Sequence, residues 1–426
     1  MSQSMNEAAM RVNLLMTACV RKGLRPMLAG LMLLGLSAGA QHQGHPGAAR
    51  QAECTKGDST ALPCANTATP FVDARGRLWL AWAGGGAISV ARSSDGGRSF
   101  GSAVVVARPG AAMDGGADAR PQIVVDPKGR VVVAYSQFKD KAYNAQVLTS
   151  TSADDGASFS PPRPLSSDPA SQRFPALALD AQGTLFVSWL DKRTAAAARK
   201  QGVAQAGAAV AYAWSRDGGA TFSTERIAQD RSCECCRIAV ALTPEGRPVV
   251  VFRNIFEGGV RDHAVFTAGA NGEAGPVYRV ATDQWAIDGC PHHGPSVAVA
   301  ADGSYHVAWF TLGAARQGLY YARSTDGGRT FSAPQAVGDA AQQAGRPTLL
   351  AKGAAVWLAW KEFDGQRIRI RARHSDDAGR KWSPDRTLAD TGAYADHPML
   401  VNQGGRIWVS WLTRDNGHQL IALDSK

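Results

Sequence analysis

Seven times along its 426 residues, at intervals of roughly fifty to sixty positions, the chain repeats one short pattern. A proline, or a residue standing in its place, opens an apolar strand. A glycine turn follows, and a second apolar strand ends at Trp, Tyr or Phe. The copies are "TPFVDARGRLWLAW" from Thr69, "RPQIVVDPKGRVVVAY" from Arg120, "FPALALDAQGTLFVSW" from Phe174 and "RIAVALTPEGRPVVVF" from Arg237. They continue with "GPSVAVAADGSYHVAW" from Gly294, "RPTLLAKGAAVWLAW" from Arg346 and "HPMLVNQGGRIWVSW" from His397. A strand–turn–strand unit cannot bury its apolar face alone, so this many copies must pack on one another. The period predicts an all-β array closed as a β-propeller, with seven blades rather than six.

A second element follows the first in five copies: "SSDGGRSF" (Ser93–Phe100), "SADDGASF" (Ser152–Phe159), "SRDGGATF" (Ser215–Phe222), "STDGGRTF" (Ser324–Phe331) and "SDDAGRKW" (Ser375–Trp382). The frame is Ser-x-Asp-x-Gly-x-x-aromatic. The Asp can bond the N–H groups of its own turn, the Gly supplies a positive φ, and the aromatic is expected to be buried between neighbouring sheets. In the fourth unit "AGANGEAGPVY" (Ala268–Tyr278) stands where the turn would be.

These five stretches resemble the Asp-box repeats of the sialidase (neuraminidase) superfamily, whose members are β-propellers. The resemblance runs from about residue 70 to 420. It implies a structural role for the boxes, away from any active site. The expected organisation is a propeller over 66–426, with 41–65 as a tail and an N-terminal strand that closes the last, short unit.

The first forty residues have a different character. Arg21, Lys22 and Arg25 precede "MLAGLMLLGLSAGA", which ends in Ala38-Gly39-Ala40. A basic region, a short apolar run and small residues at the end describe a secretory signal peptide cleaved after Ala40. The run is too short for a permanent membrane span. The expected location is therefore outside the cytoplasm, in the periplasm. Loss of Arg11, Arg21, Lys22, Arg25 and Glu7 lowers the formal charge from +10 to +7. The remaining cations are scattered, which suits anionic ligands and argues against nucleic acid as a partner.

Six cysteines lie beyond Ala40, and exported cysteines pair by default. Cys54 and Cys64 are close enough in sequence to pair across a short loop. The other four are concentrated in "SCECCRIAV" (Ser232–Val240) and "DGCPHHGPS" (Asp288–Ser296). Both stretches immediately precede the opening strand of a unit, the fourth and the fifth. Adjacent blades would bring them together at the mouth of the central channel. Cys233, Cys235, Cys236, Cys290, His292 and His293 then form a set of soft and borderline donors that suits copper or zinc. Structural disulfides and a redox-active thiol pair are the competing readings, although a bridge between the neighbours Cys235 and Cys236 would be strained.

The family resemblance implies a rival, glycan-directed function. Sialidases hold a substrate carboxylate with three arginines and use a Tyr–Glu nucleophile pair with an acid/base Asp. "QRFPAL" (Gln172–Leu177) is similar to the family's Phe-Arg-Ile-Pro stretch, which marks Arg173 as the first arginine. Arg237 and Arg346 would complete the triad, Tyr394 would be the nucleophile, and Glu362 is a candidate partner for it. The motif falls in the third unit here rather than the first. A third reading, a platform for a periplasmic protein partner, requires none of these residues.

Overall fold

A computed structural model describes residue 54 and residues 59–203, 207–269 and 271–423. Residues 1–40, read above as a signal peptide, lie outside the described residues. From Thr67 onward the chain forms seven antiparallel sheets in sequence order, the blades of a seven-bladed β-propeller. The innermost strands are Thr67–Val72, Gln122–Val125, Gln172–Leu179, Ala239–Leu242, Ser296–Val299, Gly345–Lys352 and Met399–Gln403. Each coincides with one repeated opening. Consecutive inner strands adjoin, and the last meets the first.

The aromatic ending each repeat lies on the second strand of its blade. Trp82, Tyr135, Trp189, Phe252, Trp309, Trp360 and Trp411 are all at most 1% exposed. A buried ring of this size is worth about 3–5 kcal/mol against alanine, so these seven form the thermodynamic spine of the fold. Indole N–H groups that would be stranded find acceptors: Trp309 donates to Asp283 Oδ2 at 2.7 Å and Trp360 to Glu362 Oε1 at 2.8 Å.

The five Ser-x-Asp turns share one hydrogen-bond pattern. In the first, the Ser93 hydroxyl donates to Asp95 (2.7 Å) and accepts from Gly97 N (2.8 Å), while Ser99 N donates to Asp95 (2.9 Å). Each turn also docks on the preceding blade. A Cβ on Gly156 would meet the Trp79 ring at 2.7 Å, and one on Gly379 would meet the Tyr321 hydroxyl at 1.8 Å. The aromatics Phe100, Phe159, Phe222, Phe331 and Trp382 were expected to be buried; they are only partly so, packed along the rims of the core clusters.

Ring closure departs from the expectation of a closing strand. Among the described residues blade 7 has three strands, and none of those residues before Thr67 pairs with it. The short turn Leu62–Cys64 lies against its outer strand, Gly417–Ala422, instead. That turn is tied by the Cys54–Cys64 disulfide, the pairing the sequence suggested. Phe100 of blade 1 meets His418 of blade 7 edge to face at 5.7 Å. Asp396 accepts from Thr67 Oγ1 and Ala68 N, both at 2.9 Å, fastening blade 7 to blade 1 near the axis. Apart from strands, the described residues contain one α-helix, Arg193–Lys200, and short 3-10 turns.

Candidate functional site at the channel mouth

The starts of the inner strands and the loops before them surround a central cavity of about 260 Å³. Asp118 projects into it from the loop ahead of the blade 2 inner strand. Arg346 Nη1 of blade 6 lies 3.0 Å from both of its carboxylate oxygens. Arg237 of blade 4 follows at 3.6 Å, and His397 Nδ1 of blade 7 at 4.0 Å. A second pair lies beside the first: Arg120 bonds Asp396 at 2.7 Å and the Ala68 carbonyl at 3.1 Å. Lys361, on the second strand of blade 6, donates to the Ala395 carbonyl at 2.8 Å.

Crowding of like charges leaves its mark on the protonation equilibria. Burial, with Arg346 and Arg120 nearby, brings Lys361 down to about 8 against the opposing pull of Asp396 and Asp118. Burial, again with Arg346 and Arg120, pushes Arg237 down to about 10, and Asp118 restrains the shift. His397 is held well below its usual value by burial and the same cations, so its imidazole is neutral at pH 7. Burial raises the Asp396 carboxyl, and Arg120 with the backbone donors opposes it. The mouth is thus a net cationic, poorly hydrated bowl whose one projecting carboxylate belongs to the protein.

Arg237 and Arg346 converge on Asp118, but Arg173 does not join them. It is neutralised by Asp114 through Nε and Nη2, at 2.8 and 3.0 Å, and lies over the Phe174 ring. Arg120 occupies the third cationic position around the bowl. Tyr394 is 47% exposed, with its hydroxyl on the Asn66 carbonyl at 3.1 Å. Glu362 is buried and engaged by Trp360 and the Asp339 N–H, which gives it a structural role in place of partnering Tyr394. Two members escaped the sequence reading, Asp118 and Lys361. Lys361 had a signal: it directly follows the repeat-ending aromatic, and the equivalent residue in blade 4 is the buried Arg253.

The cysteine cluster lies where blades 4 and 5 meet, as its phase in the repeat required. Cys233, Cys235 and Cys236 are unpaired and fully buried, while Cys290 is unpaired and exposed. Cys233 Sγ lies 3.5 Å from Cys235 Sγ and 3.4 Å from Cys236 Sγ. Hydrogen bonds from those two thiols, then from Arg261, hold Cys233 far below the usual thiol range. Cys235, Cys290 and His292 form a second group of close donors that shares Cys235 with the first. His293 turns away from both, stacking on Phe310 with ring centroids 4.0 Å apart.

A larger open groove, about 1070 Å³, runs along the rim between blades 3 and 4. It lies where blade 4 lacks the Ser-x-Asp turn. Tyr212 and Arg226 of blade 3 hold the substitute loop there through Gly272 and Glu273. Two of its arginines pair locally, Arg226 with Glu273 and Arg247 with Glu245.

No family profile matches the chain, and no curated protein does. Solved structures do match. A polysaccharide lyase described as an ulvan lyase superposes with a TM-score of 0.54 at 12% identity, covering 82% of this chain and 90% of its own. The polysaccharide lyase Uly1 gives 0.51 at 10%, covering 84% and 90%. The intramolecular trans-sialidase from Ruminococcus gnavus gives 0.44 at 12%, covering 86% and 94%. Structural neighbours therefore include propellers that process glycans. At such identities the likeness is one of fold. Among the described residues no helix is long and apolar enough to cross a membrane.

Proposed function

We propose that this chain is an exported, sialidase-like Asp-box propeller that captures a carboxylate-bearing saccharide at the channel mouth. One observation carries the reading: a carboxylate, that of Asp118, already sits between Arg346 and Arg237, with Arg120 and His397 lining the same cavity and Lys361 close enough to feel its charge. Guanidinium groups present planar pairs of donors matched to carboxylates, and a bowl shielded from water strengthens each contact. A uronate or sialate group would compete with Asp118 for the same donors. The ulvan lyase of like fold has been solved bound to a -[GlcA(1-4)Rha3S]- saccharide, which is the same ligand chemistry.

Capture is better supported than sialoside hydrolysis. Tyr394 is accessible, but Glu362 is buried, held through Oε1 by Trp360 and the Asp339 N–H, and joined to Tyr394 by no hydrogen bond. Export rests on the composition of residues 1–40. Calorimetric titration with glucuronate- and sialate-terminated oligosaccharides, beside neutral ones of equal length, tests the proposal. Selective binding of the acidic set, weakened by Arg346→Ala, is expected. Equal binding of neutral and acidic sugars would remove the reading, and turnover of a fluorogenic sialoside would promote the hydrolytic one.

A further inference from the structure

The sulfur cluster takes no part in carboxylate capture, and its geometry requires an explanation of its own. Three buried thiols lie within one site, with two of the Sγ separations at 3.4 and 3.5 Å. Any disulfide among them would leave the third sulfur buried and unpaired. A metal–thiolate bond of about 2.3 Å sets sulfur spacings of about 3.8–4.0 Å, so a small outward shift would seat an ion among all three. Arg261 links the two halves of the site: its Nη1 donates to Cys233 Sγ at 3.4 Å and to the Gly289 carbonyl at 2.7 Å. A guanidinium in this position offsets thiolate charge and ties the loop carrying Cys290 to the cluster. Arg253 lies near enough to Cys236 to add a second positive field.

We propose that Cys233, Cys235 and Cys236 form a three-coordinate site for one cuprous ion, reached through Cys290 and His292. The choice of ion follows from donor number and softness. Structural zinc almost always requires four ligands, and the buried group supplies three. Thiolates favour Cu(I), a soft ion that is satisfied by three. Cys290 faces solvent, and with His292 it shares Cys235 with the buried group. An ion held first by the outer donors can therefore pass inward without ever leaving Cys235. Each coordinating thiol releases its proton to solvent as the ion binds, and no change of oxidation state is involved. The site does not depend on the glycan reading, since none of the sulfurs contacts Asp118 or its arginines through a hydrogen bond.

The test uses the full chain, reduced and kept anaerobic, with Cu(I) supplied as its bicinchoninate complex. One Cu(I) per chain is expected, with X-ray absorption showing sulfur-only ligation at about 2.3 Å. Cys236→Ser should weaken binding by about 100-fold or more, beyond the 10–100-fold typical of losing an outer partner. The double change Cys290→Ser with His292→Ala should keep the stoichiometry at one and slow the uptake. Preference for Zn(II) in direct competition, nitrogen or oxygen ligation, or no uptake by the reduced chain would overturn the proposal. Should Cys236→Ser fail to fold by circular dichroism, absorption on the unaltered chain still decides.

Discussion

The rim and the channel mouth are built from the same seven units, yet they treat polar groups in opposite ways. At the rim each Ser-x-Asp turn satisfies itself: hydroxyl, carboxylate and backbone N–H close a local ring of bonds, repeated nearly unchanged in five blades. At the mouth the blades contribute unequally: arginine from blades 2, 4 and 6, a lysine also from blade 6, and histidine from blade 7. Arg120, Arg237, Arg346, Lys361 and His397 converge on two aspartates, and their protonation equilibria are displaced. Repetition marks what every blade needs in order to stand beside its neighbour. Divergence marks where selection acts on a ligand, and the loops there are free to vary because the rim already holds the blades.

The comparison breaks first at Gly379. A methyl group there would strike the Tyr321 hydroxyl in a backbone already at φ +75°, so Gly379→Ala should lose about 3 kcal/mol or more in urea unfolding. Gly353, with φ +61° and open space around it, should lose only about 1 kcal/mol. Equal losses would mean that the turns do not key into the preceding blade.

At the mouth the expected effects fall on binding and spare the fold. Arg346→Ala should weaken an acidic saccharide by about 10–100-fold, roughly 1.4–2.7 kcal/mol, while the unfolding midpoint hardly moves. Arg173→Ala, by contrast, should leave affinity nearly unchanged, because Asp114 already occupies that side chain. A similar loss from both would return Arg173 to the site.

A partly buried rim aromatic should cost less than a spine aromatic. Phe331→Ala is expected to lose about 2 kcal/mol, against about 3–5 for Trp309→Ala, read from chemical denaturation.

The pH responses are the finest probe and fall at opposite ends of the scale. Lys361 is a cation below about pH 8, so saccharide affinity should fall as pH rises through 8. Lys361→Arg should flatten that fall between pH 7 and 9. The depressed value also means that the unfolded chain holds this proton longer, so its contribution to stability rises from pH 8 upward. Asp326 carries the same sign at the acid end of the scale. Thr330, through its hydroxyl and then its N–H, and Ser324 hold it down to about 2. Its contribution is present above the ordinary carboxylate range and is lost as pH falls from about 4 towards 2. Asp326→Asn should therefore soften the acid limb of the unfolding curve slightly and leave saccharide binding unchanged.

The sequence alone determined the architecture. Turn chemistry and strand periodicity act over eight to sixteen residues, and each copy repeats the same local instruction, so seven openings became seven inner strands. The same phase placed the two cysteine stretches at one junction, because consecutive blades must be neighbours in a closed ring. Burial at the rim was only half legible, since how far a neighbouring blade covers each aromatic is decided only in the closed ring. The strand openings carried Arg237, Arg346 and His397, but the partner they share, Asp118, was not legible. Asp118, Arg237, Arg346 and His397 come from blades 2, 4, 6 and 7, separated by up to 279 positions in the chain, and no local pattern says which will meet. The arginine of "QRFPAL" carried the motif, yet Asp114 from the neighbouring blade neutralised it. Coulombic partnership depends on distance across the channel, and that distance exists only once the seventh blade has closed on the first.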